Sequence, residues 1–196
     1  MEITTINNRS VNRSDTASSG QVWTATSATA ADFQAASGGV LQVKQVQVTD
    51  TASRSGESWA EFDTDFRVVI TPTLSTSKIL LTLHANVCMT DEFAWLRLIR
   101  TVSSSDTAIA IGNAIGSTRH RATLGNIYRK VNNYYVTSQS MTWLDAPATT
   151  SEITYKVENW ASATMYLNRQ VTDGDDANSA TAVSTITATE LAVGVL

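Results

Sequence analysis

Three observations predict an all-β sandwich or barrel. From residue 40 onward, short runs of apolar and β-branched residues alternate with polar ones, the period that puts one strand face on a core. Ser, Thr, Gly and Asp clusters interrupt these runs at short intervals, as turns do. Charged residues are only 16% of the chain, below the roughly 25% of an average soluble domain. Hydroxyl side chains take their place, which suits strands with polar outer faces better than helices.

The clearest stretch is 68–83, VVITPTLSTSKILLTL, two apolar runs around a polar turn. Pro72 has no N–H for a ladder and belongs at a strand end or in a turn. Ile79, Leu81 and Leu83 then point one way and Leu80, Thr82 and His84 the other. The stretch is expected to be a strand–turn–strand unit. Before it, 40–49 alternates with a phase slip near Lys44-Gln45, as a bulge or a strand buried partly against another subunit would produce. Residues 50–58 form a polar loop around Gly56, and 59–71 a strand opening with Trp59, Phe62 and Phe66. After it come strands at 79–88, 93–101 and 107–111. In 93–101, Phe93, Trp95, Arg97 and Ile99 share one face and Ala94, Leu96 and Leu98 the other. Residues 112–132 are expected to be a long surface loop. Strands at 133–144, 153–160, 164–169 and 182–195 complete the set, and the apolar end of the last places it inside a sheet.

Residues 1–39 differ. They are rich in Asn, Ser, Thr and Ala, with isolated large apolar residues and no sustained period. Ser37-Gly38-Gly39 reads as a hinge, which divides the chain into an extended arm, 1–39, and a domain, 40–196. A two-turn helix over 28–36 is compatible with the composition. Trp23 and Phe33 stand alone in a polar strip, the pattern of side chains that insert into a partner's pocket.

The formal net charge is −4 and the isoelectric point about 5.1, which argues against a nucleic-acid partner. Cys88 is the single cysteine, so no internal disulfide can form, and its apolar strand makes it a buried inert thiol. No apolar run approaches the roughly 20 residues of a membrane helix, and no signal peptide opens the chain. No membrane and no cofactor are expected.

At 70–80 (ITPTLSTSKIL), at 143–157 (WLDAPATTSEITYKV) and at 40–48 after Gly38-Gly39, the chain resembles a domain common in virion proteins of tailed phages, frequent in phages of cyanobacteria. The short strand Met165-Tyr166-Leu167-Asn168-Arg169 and the closing strand 185–191 follow the same pattern. The resemblance covers about residues 38–196. It implies a jelly roll similar to the complement globular head and tumour necrosis factor, commonly trimeric, made in a bacterial cytoplasm and incorporated into a virion. The segment 112–132 is longer and more basic than that pattern.

No nucleophile–base, Walker, zinc or dithiol signature is present, and the chain is read as a non-enzyme. His84 lies mid-strand with no catalytic partner, and His120 between two arginines is a poor base. Asp173, Asp175, Asp176 and Asn178 fit a turn better than a calcium loop, because the twelfth position is Ser184 rather than an acid. Tyr134, Tyr135, Trp143, Tyr155, Trp160 and Tyr166 are expected mainly as packing residues. Two groups carry the functional expectation. Arg9, Arg13, Trp23 and Phe33 form a virion-anchoring arm, and Arg119, Arg121, Arg129 and Lys130 a partner-contact loop. The reading is a homotrimeric capsid decoration (cement) protein bound to the major capsid protein. The alternative is a receptor-binding tail-fibre or tail-tip protein that recognises a host glycan. The head is preferred because the chain is short, opens on Met1 and has no repetitive shaft.

Overall fold

A computed structural model describes residues 21–25, 31–35, 39–90, 93–127 and 135–192. Twelve strands are present: β1 Gln21–Ala25, β2 Ala31–Ala35, β3 Val40–Val48, β4 Ala52–Glu61, β5 Arg67–Ile70, β6 Lys78–Met89, β7 Ala94–Val102, β8 Ser105–Ile109, β9 Leu124–Ile127, β10 Thr137–Asp145, β11 Ile153–Leu167 and β12 Ser184–Leu191. No helix occurs among the described residues. Every strand pair is antiparallel.

Pairing gives two layers. The first runs β3-β12-β6-β10. The second has β11 beside β7, with β4 and β5 sharing the far edge of β11, and β8 and β9 the far edge of β7. Counting β4–β5 and β8–β9 as one strand each gives eight strands in chain order, paired 1-8-3-6 and 2-7-4-5. That is the jelly-roll order, in which successive strands alternate between facing sheets except for the central pair, 4 and 5, which are neighbours in one sheet. The layers join at one corner, where Met165–Leu167 of β11 pairs with Val87–Met89 of β6.

The core fills the gap between the layers. Ile79, Leu81, Leu83, Ile186 and Ala188 face inward from the first layer, and Val68, Ile70, Leu96, Leu98, Ile153, Tyr155 and Val157 from the second, all at most 1% exposed. Phe62 and Phe66 are buried in the same core. Each large aliphatic or aromatic residue contributes roughly 1.5–3 kcal/mol by leaving water, which is why the alternation was so legible.

Several expectations are corrected. The runs on either side of Pro72 do not pair: β5 pairs with β11 and β6 with β12 and β10, so 71–77 crosses between layers instead of closing a hairpin. Residues 50–58 are mostly strand. Their alternating polar residues sit at a sheet edge, and Gly56, at φ 131°, occupies the irregularity opposite Ala161. The expected strands 153–160 and 164–169 are one strand, β11, continuous through that irregularity. No register shift occurs at Lys44-Gln45; the shift lies at the start of β3, between Glu190 and Leu191 of its partner. Residues 124–127, expected as loop, pair with β7 as β9. Residues 31–35, allowed as helix, are strand. β12 does lie inside its sheet, between β3 and β6.

The two outer faces differ. On the first layer the register aligns Val43, Thr189, Leu80 and Leu144 in one row, and Gln45, Thr187, Thr82 and Thr142 in the next. On the second layer Arg67 pairs with Glu61, Arg97 with Glu158 at 2.6 Å, and Lys156 with Asp106 at 2.8 Å.

Candidate functional site

The residues that carry the family resemblance turn out to be fold locks. Glu190 on β12 is fully buried and holds the 71–77 crossing. It accepts hydrogen bonds from the Thr73 amide (2.6 Å), the Thr73 hydroxyl (3.0 Å) and Gln42 Nε2 (2.6 Å). Burial alone would raise its pKa. The Gln42 and Thr73 hydrogen bonds to the charged form outweigh that and hold it below the ordinary carboxylate value. Asp145, of the Leu-Asp-Ala-Pro corner, ends β10 in the first layer and reaches Arg100 (2.8 Å) and the Tyr155 hydroxyl (2.7 Å) in the second. Burial, followed by the Asp145 charge, pushes the Tyr155 phenol far above its usual value, so it stays a neutral donor. Asn168, at φ 60° and fully buried, donates to the Val48 and Asp50 carbonyls and accepts from Ser184 Oγ at 2.6 Å. These carboxylates and amides are satisfied by the protein itself, as structural polar groups are.

The sequence-predicted site residues fall unevenly. Arg9, Arg13, Arg129 and Lys130 lie outside the described residues. Trp23 and Phe33 are opposite one another in the β1–β2 ladder, so positions 21, 23, 25, 31, 33 and 35 share one face of a two-stranded ribbon. Arg119 and Arg121 are both exposed on the 110–123 segment. Arg121 Nε donates to the Gly112 carbonyl at 2.8 Å, and the Gly112 amide bonds the Ala122 carbonyl at 3.3 Å, so this arginine closes its own loop. Asp176 accepts turn hydrogen bonds, its carboxylate from the Asn178 amide and its carbonyl from the Ser179 amide, as the turn reading required. No cluster of His, Cys, Asp and Glu suited to a metal is found among the described residues. Burial raises the Cys88 thiol above its usual pKa, in keeping with an inert side chain.

A further cluster, missed from sequence, covers one end of the second layer. Trp95 and Trp160 are direct partners on β7 and β11, with ring centroids 4.9 Å apart. His120, the one half-buried residue within 113–121, packs on both, at 4.7 Å from Trp95 and 4.4 Å from Trp160. Phe93 lies parallel to Trp160, and the Arg97 guanidinium stacks 4.4 Å from the Trp59 ring while pairing with Glu158. Three strands (β4, β7 and β11), the residue before β7 and a loop supply these residues from positions far apart in the chain, so no local motif announces them. The rings and charges satisfy each other: this part of the second layer is covered by its own chain.

Other aromatics divide as packing and surface. Tyr155 is core and Tyr166 stacks under Arg169, whereas Trp143 and Tyr135 are 42% and 50% exposed. His84 lies on the outer face of the first layer, 3.3 Å from the Asn86 side-chain amide. An open cleft lined by Thr101, Ser103, Ser104, Ser151, Glu152 and Thr154 sits at the end of the sandwich where the chain enters β3. It holds one carboxylate, not the facing pair of a glycosidase.

No protein-family model matches the chain, and no curated protein matches it. Among solved structures it is similar to the VP2 subviral particle of infectious bursal disease virus, at 8% identity and TM-score 0.39, over 87% of this chain and 46% of that one. The structure of the Gt strain of that virus gives 8% identity and TM-score 0.37, over 84% and 42%. The chain thus spans less than half the length of these structures.

Proposed function

We propose that this chain is a structural protein of a phage virion, and within that class a capsid decoration protein. The globe trimerises, and residues 1–39 attach it to the shell. One observation carries the reading: a self-satisfied jelly-roll globe is joined, just before β3, to a two-stranded ribbon that sets Trp23 opposite Phe33. A two-stranded ribbon is marginal alone in water, and an aromatic pair on one of its faces gains most by docking on another surface. The resemblance at 70–80 and 143–157 supplies the virion setting. The buried locks at Glu190, Asp145 and Asn168 explain why those segments mark a fold.

Mechanistically, each arm supplies a modest contact and trimerisation makes three of them simultaneous, which raises the overall avidity. Binding only to the assembled lattice then stabilises the lattice by mass action. The test is to delete residues 1–39 and to locate the chain on intact particles. The reading expects a folded globe that no longer joins particles, and wild-type density repeated over the shell. Particles that retain the truncated protein would defeat the arm. Density confined to the tail tip would favour glycan recognition by the globe.

A further inference from the structure

We propose that the open cleft at the end of the second layer binds a primary ammonium group, free or at the tip of a lysine side chain. The cleft measures about 360 Å³, at the small end of ligand-sized sites. Two connections frame it: the Ser103-Ser104 turn between β7 and β8, and the 146–152 link between β10 and β11. Thr101 and Thr154, direct partners on β7 and β11, line it from the sheet. Its side chains carry oxygen and no nitrogen: five hydroxyls and the Glu152 carboxylate. Glu152 is exposed and makes no ion pair or hydrogen bond among the described residues. The inference does not depend on how the chain attaches to a particle.

Three observations select that ligand. The first is the balance of donors and acceptors. An ammonium has three donors and no acceptor, and a carboxylate among hydroxyls offers the complement. An anion would meet no N–H side chain in the cleft and would face Glu152. The second is the state of the neighbouring charge. Asp106 is already engaged by Lys156 at 2.8 Å and by the Thr101 hydroxyl at 2.6 Å, which leaves Glu152 as the cleft's uncompensated charge. A divalent cation wants more oxygen charge than one carboxylate supplies, and no cluster of His, Cys, Asp and Glu suited to a metal lies among the described residues. The third is the turn. Val102 and Ser105 close a two-residue link whose central residues, Ser103 and Ser104, sit at φ 48° and 63°. Such a turn favours Asn and Gly, and serine is held there against its preference. Residues strained in this way cluster at functional sites, and both of these line the cleft.

The test is ligand-observed saturation-transfer NMR on the full chain. The probes are n-butylammonium chloride, n-butanol as its neutral counterpart, Nα-acetyl-lysine methylamide, and methyl α-glucoside as a polyol. The expected result is that both amines bind and n-butanol does not. Glu152→Gln should weaken amine binding about tenfold, the loss of one charge-assisted hydrogen bond. Ser103→Gly combined with Ser104→Gly suits the turn, so circular dichroism should be unchanged while amine binding falls. If that double variant fails to fold, Glu152→Gln, at an exposed position, carries the test alone. Wild-type amine affinity in Glu152→Gln overturns the site, and wild-type affinity in the folded turn variant overturns the role of the two serines. Equal binding of n-butanol and n-butylammonium, or no amine binding at all, overturns the ammonium. Binding of the glucoside alone, lost in Glu152→Gln, overturns it in favour of a polyol. Tighter binding of the lysine derivative than of n-butylammonium assigns the source to a protein side chain, and equal binding to a free amine; both uphold the ammonium.

Discussion

The two outer faces of the sandwich are built on the same pleat but finished in opposite ways. On the β11–β7 side, Arg97 pairs with Glu158 and lies over Trp59, while His120 packs on Trp95 and Trp160. Arg97 and Glu158 neutralise each other there, and the large rings pack on one another. On the β12–β6 side the outward residues are neutral apart from Lys78, and side-chain partners across the strands are polar ones such as Gln45 Nε2, which donates to Thr187 Oγ1 at 2.9 Å. A layer covered by its own loop has little left to offer a partner. Among the described residues, Thr82, Thr142 and Gln45 on the other layer are exposed to solvent. The difference teaches that one pleated fold can finish its two outer faces either with ring and ion-pair contacts or with hydroxyl and amide groups.

The largest effect should come from severing the bond between the layers. Asp145→Ala leaves the partly buried Arg100 charge and the Tyr155 hydroxyl without their partner, and should cost about 3 kcal/mol, read from urea unfolding. A loss under about 1 kcal/mol would show that the layers hold together by apolar packing alone. Next, Trp95→Ala should cost about 2 kcal/mol, whereas Thr82→Ala should stay within about 0.5 kcal/mol of wild type, because one position is packed and the other open. Equal costs would erase the contrast between a finished and an unfinished face.

Acid should act through Glu190. Its folded pKa lies below the ordinary value of 4.5, so the charged form is favoured by folding. The stabilisation is therefore complete above that ordinary value and is lost as pH falls below 4.5 and through the folded value. Glu190→Gln should lower stability at neutral pH and flatten its acid dependence, measured as urea midpoints between neutral pH and the acid limb. An unchanged acid limb would assign that limb to other carboxylates. The smallest effect is expected at the edge of the charged face. Arg67→Ala breaks the pair with Glu61, but the Arg67 side chain is 40% exposed, so the change should be about 0.5 kcal/mol or less.

Periodicity made individual strands readable. Ile79, Leu81 and Leu83 against Leu80, Thr82 and His84 divide correctly between core and surface, because burying alternate side chains is a local consequence of the pleat. The same reasoning failed at 52–58, where an edge strand keeps both faces polar and looks like a loop. It failed again at Pro72, since a short polar link reads as a hairpin whether its strands pair or part into different sheets. Of the candidate site, the Trp23 and Phe33 positions were visible as isolated aromatics, but their pairing across a ladder was not. The Trp59, Trp95, Trp160 and His120 cluster left no trace, because its members are far apart in sequence.

By itself the sequence determined that this protein is all-β, where most of its strands run and which of their faces are apolar. All three follow from the short-range balance between burying side chains and satisfying the backbone. Only the tertiary structure decided which strands pair, that β5 and β6 part into opposite layers, and that the loop carrying His120 packs on the Trp95 and Trp160 end of the second layer. Those outcomes depend on contacts such as Asp145 with Arg100 and His120 with Trp160, whose energies exist only once distant segments have been brought together.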